Sequence, residues 1–319
     1  MARRMPRRDP LEDKLVVLIG GGGFVGRHTA EELLKRGARL RVADRRPEKA
    51  YYLRPLAQLG QIQFARCNVK DRRAVEAAVA GADAVVYLVG TFGADAHALQ
   101  AVGAGLAARA AAAQGCRAFV YVSAIGADAE ADSRYASSKG EGEARVRAAF
   151  AGATVLRPAP MFGEDDQFIN MFARAIMRLP MLPVFGGNAK LQPLFVDDAA
   201  LAIAGAFADS QRHGSKTYEL AGPEVMTMED INRRIARAQE RERMLVRVPD
   251  PLCALFAALP GTPINSDQWK LLKSGSVAHG TLPGLEAFGI APRPLGLFLD
   301  RWMTRYRKHG RFSAKRGLA

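Results

Sequence analysis

The segment Leu15-Val-Val-Leu-Ile-Gly20-Gly-Gly-Gly23-Phe-Val-Gly26-Arg27-His28 decides how the rest of the chain is read. Five consecutive apolar residues predict a buried strand, the glycines a tight turn, and the run from Phe24 a helix. Gly20, Gly23 and Gly26 stand three apart. At that spacing, missing Cβ atoms permit the turn itself, close approach of a pyrophosphate, and close packing of helix on strand. The pyrophosphate would meet unpaired N–H groups at the helix start. Gly22, Phe24 and Val25 complete the expected contact surface. A ligand-free structural turn could use the same glycines. What favours dinucleotide binding is position, because the turn opens the first strand–helix unit and a second strand follows it.

Working outward, apolar runs alternate with helical patterns: Leu15–Ile19 then Phe24–Arg36, Arg39–Ala43 then Glu48–Leu59, and Ile62–Ala65 then Asp71–Ala80. The rhythm continues through Ala84–Val89, Ala94–Gln114, Ala118–Val122 and Arg134–Phe150. Short buried strands between helices predict βαβ units and a parallel sheet covered on both faces. The expected fold is therefore α/β, a Rossmann-like doubly wound parallel sheet with a smaller C-terminal lobe. The expected boundaries are a basic arm at 1–13, the nucleotide-binding domain at 14–211 with a loop and helix insertion at about 160–192, and the lobe with a basic tail at 212–319. Leu252–Leu259, fenced by prolines, is apolar all round and too short to span a bilayer; such a helix packs in protein or lies at an interface.

The 319 residues are ample for a core, and 49% hydrophobic with 24% charged is a folded composition. Lys+Arg 46 against Asp+Glu 32 leaves +14, which attracts phosphates, anionic lipid heads or acidic subunits. No motif points to nucleic acid. Cys67, Cys116 and Cys253 match no metal spacing and read as buried thiols. No apolar run reaches the ~18–20 residues of a membrane span. The opening arginines read as a mature arm, with no room for a signal peptide before the first strand.

Chemistry-bearing residues gather at the predicted strand ends. Asp44, Arg45 and Arg46 end the second strand: an acid there binds the ribose hydroxyls of NADH, whereas arginines hold the 2′-phosphate of NADPH. Asn68 and Val69 are placed to flank the adenine, and Leu88, Val89 and Gly90 to line the middle of the cofactor. Ser123 ends the fifth strand, and Tyr135 and Lys139 share one face of the next helix. A nearby ammonium would lower the phenol pKa and suit it to proton transfer, with Ser123 holding a substrate oxygen. Equally, Tyr135 and Lys139 could do no more than hydrogen-bond the nicotinamide ribose. The five histidines are scattered and form no ligand cluster. Asp197 and Asp198 read as helix caps, and Trp269 and Trp302 as packing residues of the lobe.

Gly20–Gly26, Ser123 and Tyr135-x-x-x-Lys139 resemble the short-chain dehydrogenase/reductase superfamily in its extended and atypical branches. Arg157-Pro158-x-x-Met161-Phe162-Gly163 resembles their cofactor segment after the sheet, which adds Pro158 and Phe162 to the expected cofactor residues. More narrowly, the chain is similar almost end to end to the nucleotide-binding accessory subunits of respiratory complex I, the alpha-subcomplex subunit nine family. The matching stretches include Leu53-Arg54-Pro55-Leu56, Val122-Ser123-Ala124-Ile125-Gly126-Ala127, Gly163-Glu164-Asp165-Asp166-Gln167-Phe168 and Gln192-Pro193-Leu194-Phe195-Val196-Asp197-Asp198.

That resemblance implies a tightly held NADPH, no established turnover, and complex I partners near the quinone region. It also implies a peripheral location, on the cytoplasmic face of a bacterial inner membrane or the matrix side in a mitochondrion. Arg45 falls where the family places its phosphate-binding arginine; Asp44 departs from the pattern and leaves NADH as the alternative. Two departures from active extended enzymes are the short segment between Ser123 and Tyr135, and Gln100 in place of the asparagine common in their fourth helix. The other reading is a free NADP-dependent reductase, dehydrogenase or sugar epimerase using Tyr135 and Lys139. The clustered cations at the two ends, Arg301, Arg305, Arg307 and Lys308 among them, suit docking or are solvated tails.

Overall fold

Val16 and Leu18 of the first strand pack into one apolar layer while Val17 and Ile19 pack into another. A strand buried on both faces must sit at the middle of a sheet covered on both sides. The computed structural model describes residues 9–259, 262 and 264–310. In chain order the first half comprises β1 (Leu15–Ile19), α1 (Phe24–Lys35), β2 (Arg39–Asp44), β3 (Ile62–Arg66), α2 (Arg72–Val79), β4 (Ala84–Tyr87), α3 (Gly103–Ala113), β5 (Ala118–Val122), α4 (Arg134–Ala149) and β6 (Thr154–Pro158).

The second half adds β7 (Met161–Phe162), α5 (Phe168–Arg178), β8 (Met181–Val184), β9 (Lys190–Leu191), β10 (Leu194–Phe195), α6 (Val196–Ala208), α7 (Ser210–His213) and β11 (Thr217–Leu220). It ends with β12 (Met226–Thr227), α8 (Met228–Ala238), β13 (Met244–Arg247), α9 (Asp250–Ala258), α10 (Ser266–Ser274) and α11 (Gly296–Met303).

The main sheet has seven parallel strands in the order β11-β6-β5-β4-β1-β2-β3. It is a Rossmann-like doubly wound fold, with α1 and α6 on one face and α2, α3 and α4 on the other. Both layers are built mainly from Val, Leu, Ile and Ala, with Tyr218 buried in the first and Tyr87, Phe119 and Tyr121 in the second. Each fully buried large aliphatic side chain contributes about 1.5–3 kcal/mol. The second lobe has its own core, in which Phe162, Phe195, Phe298 and Trp302 stack around one another, the last two with ring centroids 4.8 Å apart. Smaller sheets brace it: β10 beside β7, β12 beside β9, and β13 beside β8.

Three expectations need correction. Residues 48–59 do not form a regular helix; Pro47–Leu56 makes 3-10 turns, because Pro55 interrupts the i to i−4 ladder. Thr217–Leu220 pairs in register with Val155–Pro158, so the main sheet reclaims the chain beyond residue 211, where the second lobe was expected to begin. The strand carries Tyr218 and Leu220 into the sheet core, which a separate lobe would leave exposed. Asp197 and Asp198 do not cap α6, whose N-cap is Phe195 without a side-chain bond. They are cross-links instead.

Asp198, 1% exposed, takes the backbone N–H of Arg293 at 2.9 Å and its guanidinium Nε and Nη2 at 2.8 and 2.7 Å. A carboxylate this buried survives only while paired. Arg305 and Arg307, expected as docking charges, are also internal ties: the first donates to Glu164 O and Asn170 Oδ1, the second to Ala238 O and the Glu240 carboxylate. The arginines within residues 1–8, and Arg311, Lys315 and Arg316, lie outside the described residues.

Replacing Arg293 by Met should leave Asp198 buried and unpaired, a loss of about 3–5 kcal/mol. Urea unfolding measures it, and a loss below about 1 kcal/mol would show that the pair is dispensable.

Candidate functional site

The glycine turn crosses the carboxyl end of β1 between β2 and β4. Gly20 adopts φ +81°, a left-handed backbone that side chains disfavour. A Cβ on Gly26 would lie 2.3 Å from the Gly21 carbonyl oxygen, so α1 can approach β1 this closely only without one. Gly23 differs: the nearest atom to a Cβ there is 3.5 Å away, and the residue is exposed at the N-cap of α1 with no side-chain cap. The protein thus leaves room at Gly23 and exposes the free N–H groups of α1 there, which fits a pyrophosphate.

Around this turn the expected residues sort into two groups. Gly22, Phe24, Val25, Leu88, Val89 and Gly90 retain partial or full exposure at the strand ends. Asp44 ends β2, with its carboxylate 3.0 Å from where a Gly22 Cβ would be. Arg45 and Arg46 are exposed, and neither has an ion-pair partner among the described residues. Asn68 is exposed too, its side chain accepting the N–H of Lys70.

Val69, Pro158 and Phe162 are buried instead. Val69 packs under Gly103, Pro158 faces Val25 and Met161 in a small apolar cavity, and Phe162 belongs to the aromatic core of the second lobe. Phe162 is fully buried within that core. Alternation explains it, since its neighbour Met161 takes the less buried face.

His28 went unnoticed as part of this assembly. From α1 its Nδ1 meets Asp197 at 2.5 Å and its Nε2 meets Asp165 at 3.2 Å, while Arg27 reaches Asp165 at 3.1 Å. Burial pulls the imidazole pKa down, yet the two carboxylates hold it above the ordinary value. The cluster clamps α1 onto α6 and the 163–167 loop.

The Ser123–Tyr135–Lys139 group is present, but its wiring is inward. Ser123 is 2% exposed and donates to Glu143 at 2.6 Å. Glu143 in turn receives two hydrogen bonds from Arg157, both 2.8 Å. Lys139 donates to the carbonyls of Val122 at 2.7 Å and Val89 at 3.2 Å, and desolvation lowers its pKa to about 7. Tyr135 stacks on Phe92 with centroids 4.4 Å apart, and desolvation pushes its phenol up to about 12. The expected lowering of the phenol pKa by Lys139 is therefore corrected: the ammonium is itself desolvated and bonded to backbone, 5.9 Å from the Tyr135 ring centroid. Gln100 is held in a buried network, accepting from Thr91 N–H and donating to Ser138.

Sequence reading also missed Asp267. This carboxylate at the start of α10, 7% exposed, accepts the N–H groups of Arg134 at 2.7 Å and Tyr135 at 3.0 Å. It lies within the first turns of two helices at once, where two positive dipole ends favour a negative charge. Its only sequence signal was an Asn265-x-x-Gln268 capping box placing it near a helix start. Its partner 133 residues away was invisible. Among the described residues no group of His, Cys, Asp and Glu could hold a metal ion.

Two tests follow from this geometry. Gly26→Ala should destabilise the fold by about 3 kcal/mol through overpacking, whereas Gly23→Ala should keep stability within about 1 kcal/mol and lower nucleotide affinity at least tenfold. Thermal unfolding and nucleotide titration separate the two; equal nucleotide affinity in Gly23→Ala would remove the turn from the site. For Lys139 the folded pKa of about 7 lies below the unfolded 10.5. The unfolded chain then binds more protons between those values, so the burial penalty is full below pH 7 and fades as pH rises toward 10.5. The stability advantage of Lys139→Met over the nucleotide-free parent should shrink across that window, read by denaturant unfolding at several pH values. A constant difference would contradict the burial penalty.

An NAD(P)H-binding family model matches residues 20–169. The alpha subcomplex subunit 9 of mitochondrial NADH dehydrogenase [ubiquinone] from Arabidopsis thaliana is 28% identical over 95% of this chain and 80% of its own. The ceramide reductase of Caulobacter vibrioides is 31% identical over 74% of each chain. Among solved structures, the Citrobacter sp. triphenylmethane reductase complexed with NADP(H) superposes with a TM-score of 0.75 at 20% identity, over 90% of this chain and 99% of that one. With the parallel sheet, the glycine turn and the Tyr135–Lys139 helix in place, the chain belongs to the extended and atypical short-chain dehydrogenase/reductase superfamily, and it is similar over 95% of its length to the complex I alpha subcomplex subunit 9 proteins.

Proposed function

We propose that this chain is an accessory subunit of a complex I-type NADH:quinone oxidoreductase that holds NADPH as part of its fold. The observation that carries the reading is the inward wiring of the three groups expected to do chemistry. Ser123 bonds to Glu143, Lys139 to two backbone carbonyls, and the Tyr135 phenol is raised rather than lowered in pKa. A site so arranged orients a nucleotide better than it moves protons. The match to a complex I subunit over nearly the full chain supports the same conclusion. Arg45 and Arg46, unpaired at the β2 tip, favour the 2′-phosphate of NADPH; Asp44 is the group that would favour NADH. When bound, the nucleotide would supply a hydride-carrying nicotinamide, and Gly20, Gly22, Gly23 and the start of α1 would hold its pyrophosphate.

Attachment near the quinone region and membrane would use the second lobe. Leu252, Leu255 and Leu259 on and just after α9 are 55%, 63% and 53% exposed. Met181 and Met244, cross-strand neighbours on β8 and β13, are 53% and 65% exposed. Scattered exposed apolar residues need no explanation, but paired strands and one helix face together suggest a contact surface. No described helix is long and apolar enough to cross a membrane.

A second reading, an NADP-dependent reductase, is supported by Tyr135 and Lys139 sharing a helix face and by the reductase relative. Purification from native membranes decides between them. The accessory reading expects co-purification with a flavin and iron–sulfur complex, NADPH in the released nucleotide, and little change in NADH:quinone activity in Tyr135→Phe. The double variant Leu252→Asp/Leu255→Asp should keep its nucleotide and leave the complex. A chain that purifies alone, with a ketone-reducing activity that Tyr135→Phe lowers at least 100-fold, would overturn the accessory reading.

A further inference from the structure

One side chain, His28, ties the loop at 163–167 to α1 and α6 together. Its Nδ1 lies 2.5 Å from the Asp197 carboxylate of α6, and its Nε2 lies 3.2 Å from the Asp165 carboxylate of the loop. Ionised carboxylates only accept, so both ring nitrogens must donate, and only an imidazolium carries two N–H groups. A neutral ring keeps one proton. Placed on Nδ1, that proton preserves the shorter contact, to Asp197, and leaves the Nε2 lone pair facing the Asp165 carboxylate. Loss of the other proton therefore releases the loop side of the cluster and spares the α6 side.

Packing carries the loop's position to the nucleotide face. Phe24, the first residue of α1, stands edge-on to His28 with ring centroids 5.4 Å apart. The same ring meets Gly163, where a Cβ would lie 3.0 Å from Phe24 and 2.9 Å from Val196. The loop is thus wedged between α1 and α6. Phe24 also opens the turn of helix whose free N–H groups stand beside Gly23, so a shift of the loop is felt first at that turn.

The neighbouring charges are mostly committed elsewhere. On α1, Lys35 pairs with Glu31 at 2.8 Å and Arg36 with Glu32 at 2.7 Å. Arg27 reaches Asp165 at 3.1 Å, but between two exposed side chains, so it holds the loop only weakly by itself. On the loop, Glu164 is exposed and Asp166 is turned inward to the N–H groups of Gly163 and Ile169. Burial raises the Asp166 pKa to about 6. From α6, Asp198 is held by Arg293, whose charge also reaches Asp197. Tyr52 and Asp44 complete the set on the Arg27 side.

Desolvation lowers the His28 pKa, but the hydrogen bonds to Asp197 and Asp165 outweigh it and hold the value above 6.5. The folded chain then keeps this proton after the unfolded chain has lost it. What the bridge contributes is complete below about pH 6.5 and disappears as pH rises through the folded value.

We infer that His28 is a positioning residue for the nucleotide: while both its ring nitrogens donate, it latches the 163–167 loop against the start of α1, and loss of the Nε2 proton frees the loop and loosens the nucleotide. The inference rests on nucleotide binding at the glycine turn, and holds equally for an accessory subunit and a reductase.

NADPH titration of the full chain and of His28→Gln, at about pH 6.5 and about pH 9, reads the latch. Glutamine can donate to one carboxylate, as the neutral ring does. The parent should bind at least about fivefold more tightly than the variant at the lower pH, and within about twofold of it at the higher. Taking the ratio at each pH cancels the titration of Asp166 and of the 2′-phosphate itself. In an Asp165→Asn background the same replacement should cost less than about twofold at either pH, because the charged loop acceptor is gone. Without nucleotide, the Gly163 amide resonance of the unaltered chain should shift with the midpoint of the His28 ring, above 6.5 and separate from any Asp166 transition at about 6. That measurement remains decisive if His28→Gln misfolds, which thermal unfolding reports. An equal penalty for His28→Gln at both pH values would overturn the inference, as would a penalty that survives Asp165→Asn or a Gly163 amide blind to the His28 titration. Failure of NADPH to bind at either pH would overturn the nucleotide reading and the inference with it, whereas binding with a constant ratio overturns the inference alone.

Discussion

Gly26 lies so close beneath Gly21 that no side chain fits between them, and the arrangement of the whole nucleotide face follows from that contact. It sets the distance from α1 to the end of β1. The helix then presents its free N–H groups above Gly23 rather than to one side, between the tips of β2 and β4. With α1 fixed, α6 can pack along it, and His28 can reach Asp165 and Asp197 together. Those contacts bring the second lobe down beside the turn. A single steric constraint near the start of the chain therefore propagates to Asp197, 169 positions beyond His28.

Most of the first half was legible because its signals are local. Leu15–Ile19 has no polar residue, and burial on both faces is the only economical fate for it. Asp71 bonds the N–H groups of Arg73 and Ala74 at the start of α2, as a cap should. The same local logic failed where two local preferences competed. Residues 48–59 have helical composition, yet Pro55 limits them to tight turns. Phe162 was placed by resemblance on the cofactor side, but neighbouring residues two apart share a face, and its face belongs to the aromatic core.

The rest was hidden because it depends on charge pairing over long separations. Glu143 with Arg157, Glu219 with His279, Asp198 with Arg293 and Asp267 with the start of α4 each join a buried acid to a partner from another element. In the sequence these acids look like ordinary surface residues. Only packing reveals that they are desolvated, and desolvation is what makes each pairing obligatory. The same holds for the site: Ser123, Tyr135 and Lys139 carry the right residue types, while the direction of each hydrogen bond, which separates holding from reacting, is set by neighbours the spacing does not name.

Asp267 has a consequence for modularity. The nucleotide-binding half looks autonomous, with its own sheet and two apolar layers. Yet the helix bearing Tyr135 begins on a carboxylate supplied by the other half, and the seventh strand comes from beyond the first six. A truncation after β6 would expose the edge of that strand to solvent and strip the α4 start of two hydrogen-bond acceptors. The two halves are parts of one cooperative unit, and a shuffled or fused version of this protein would have to carry both.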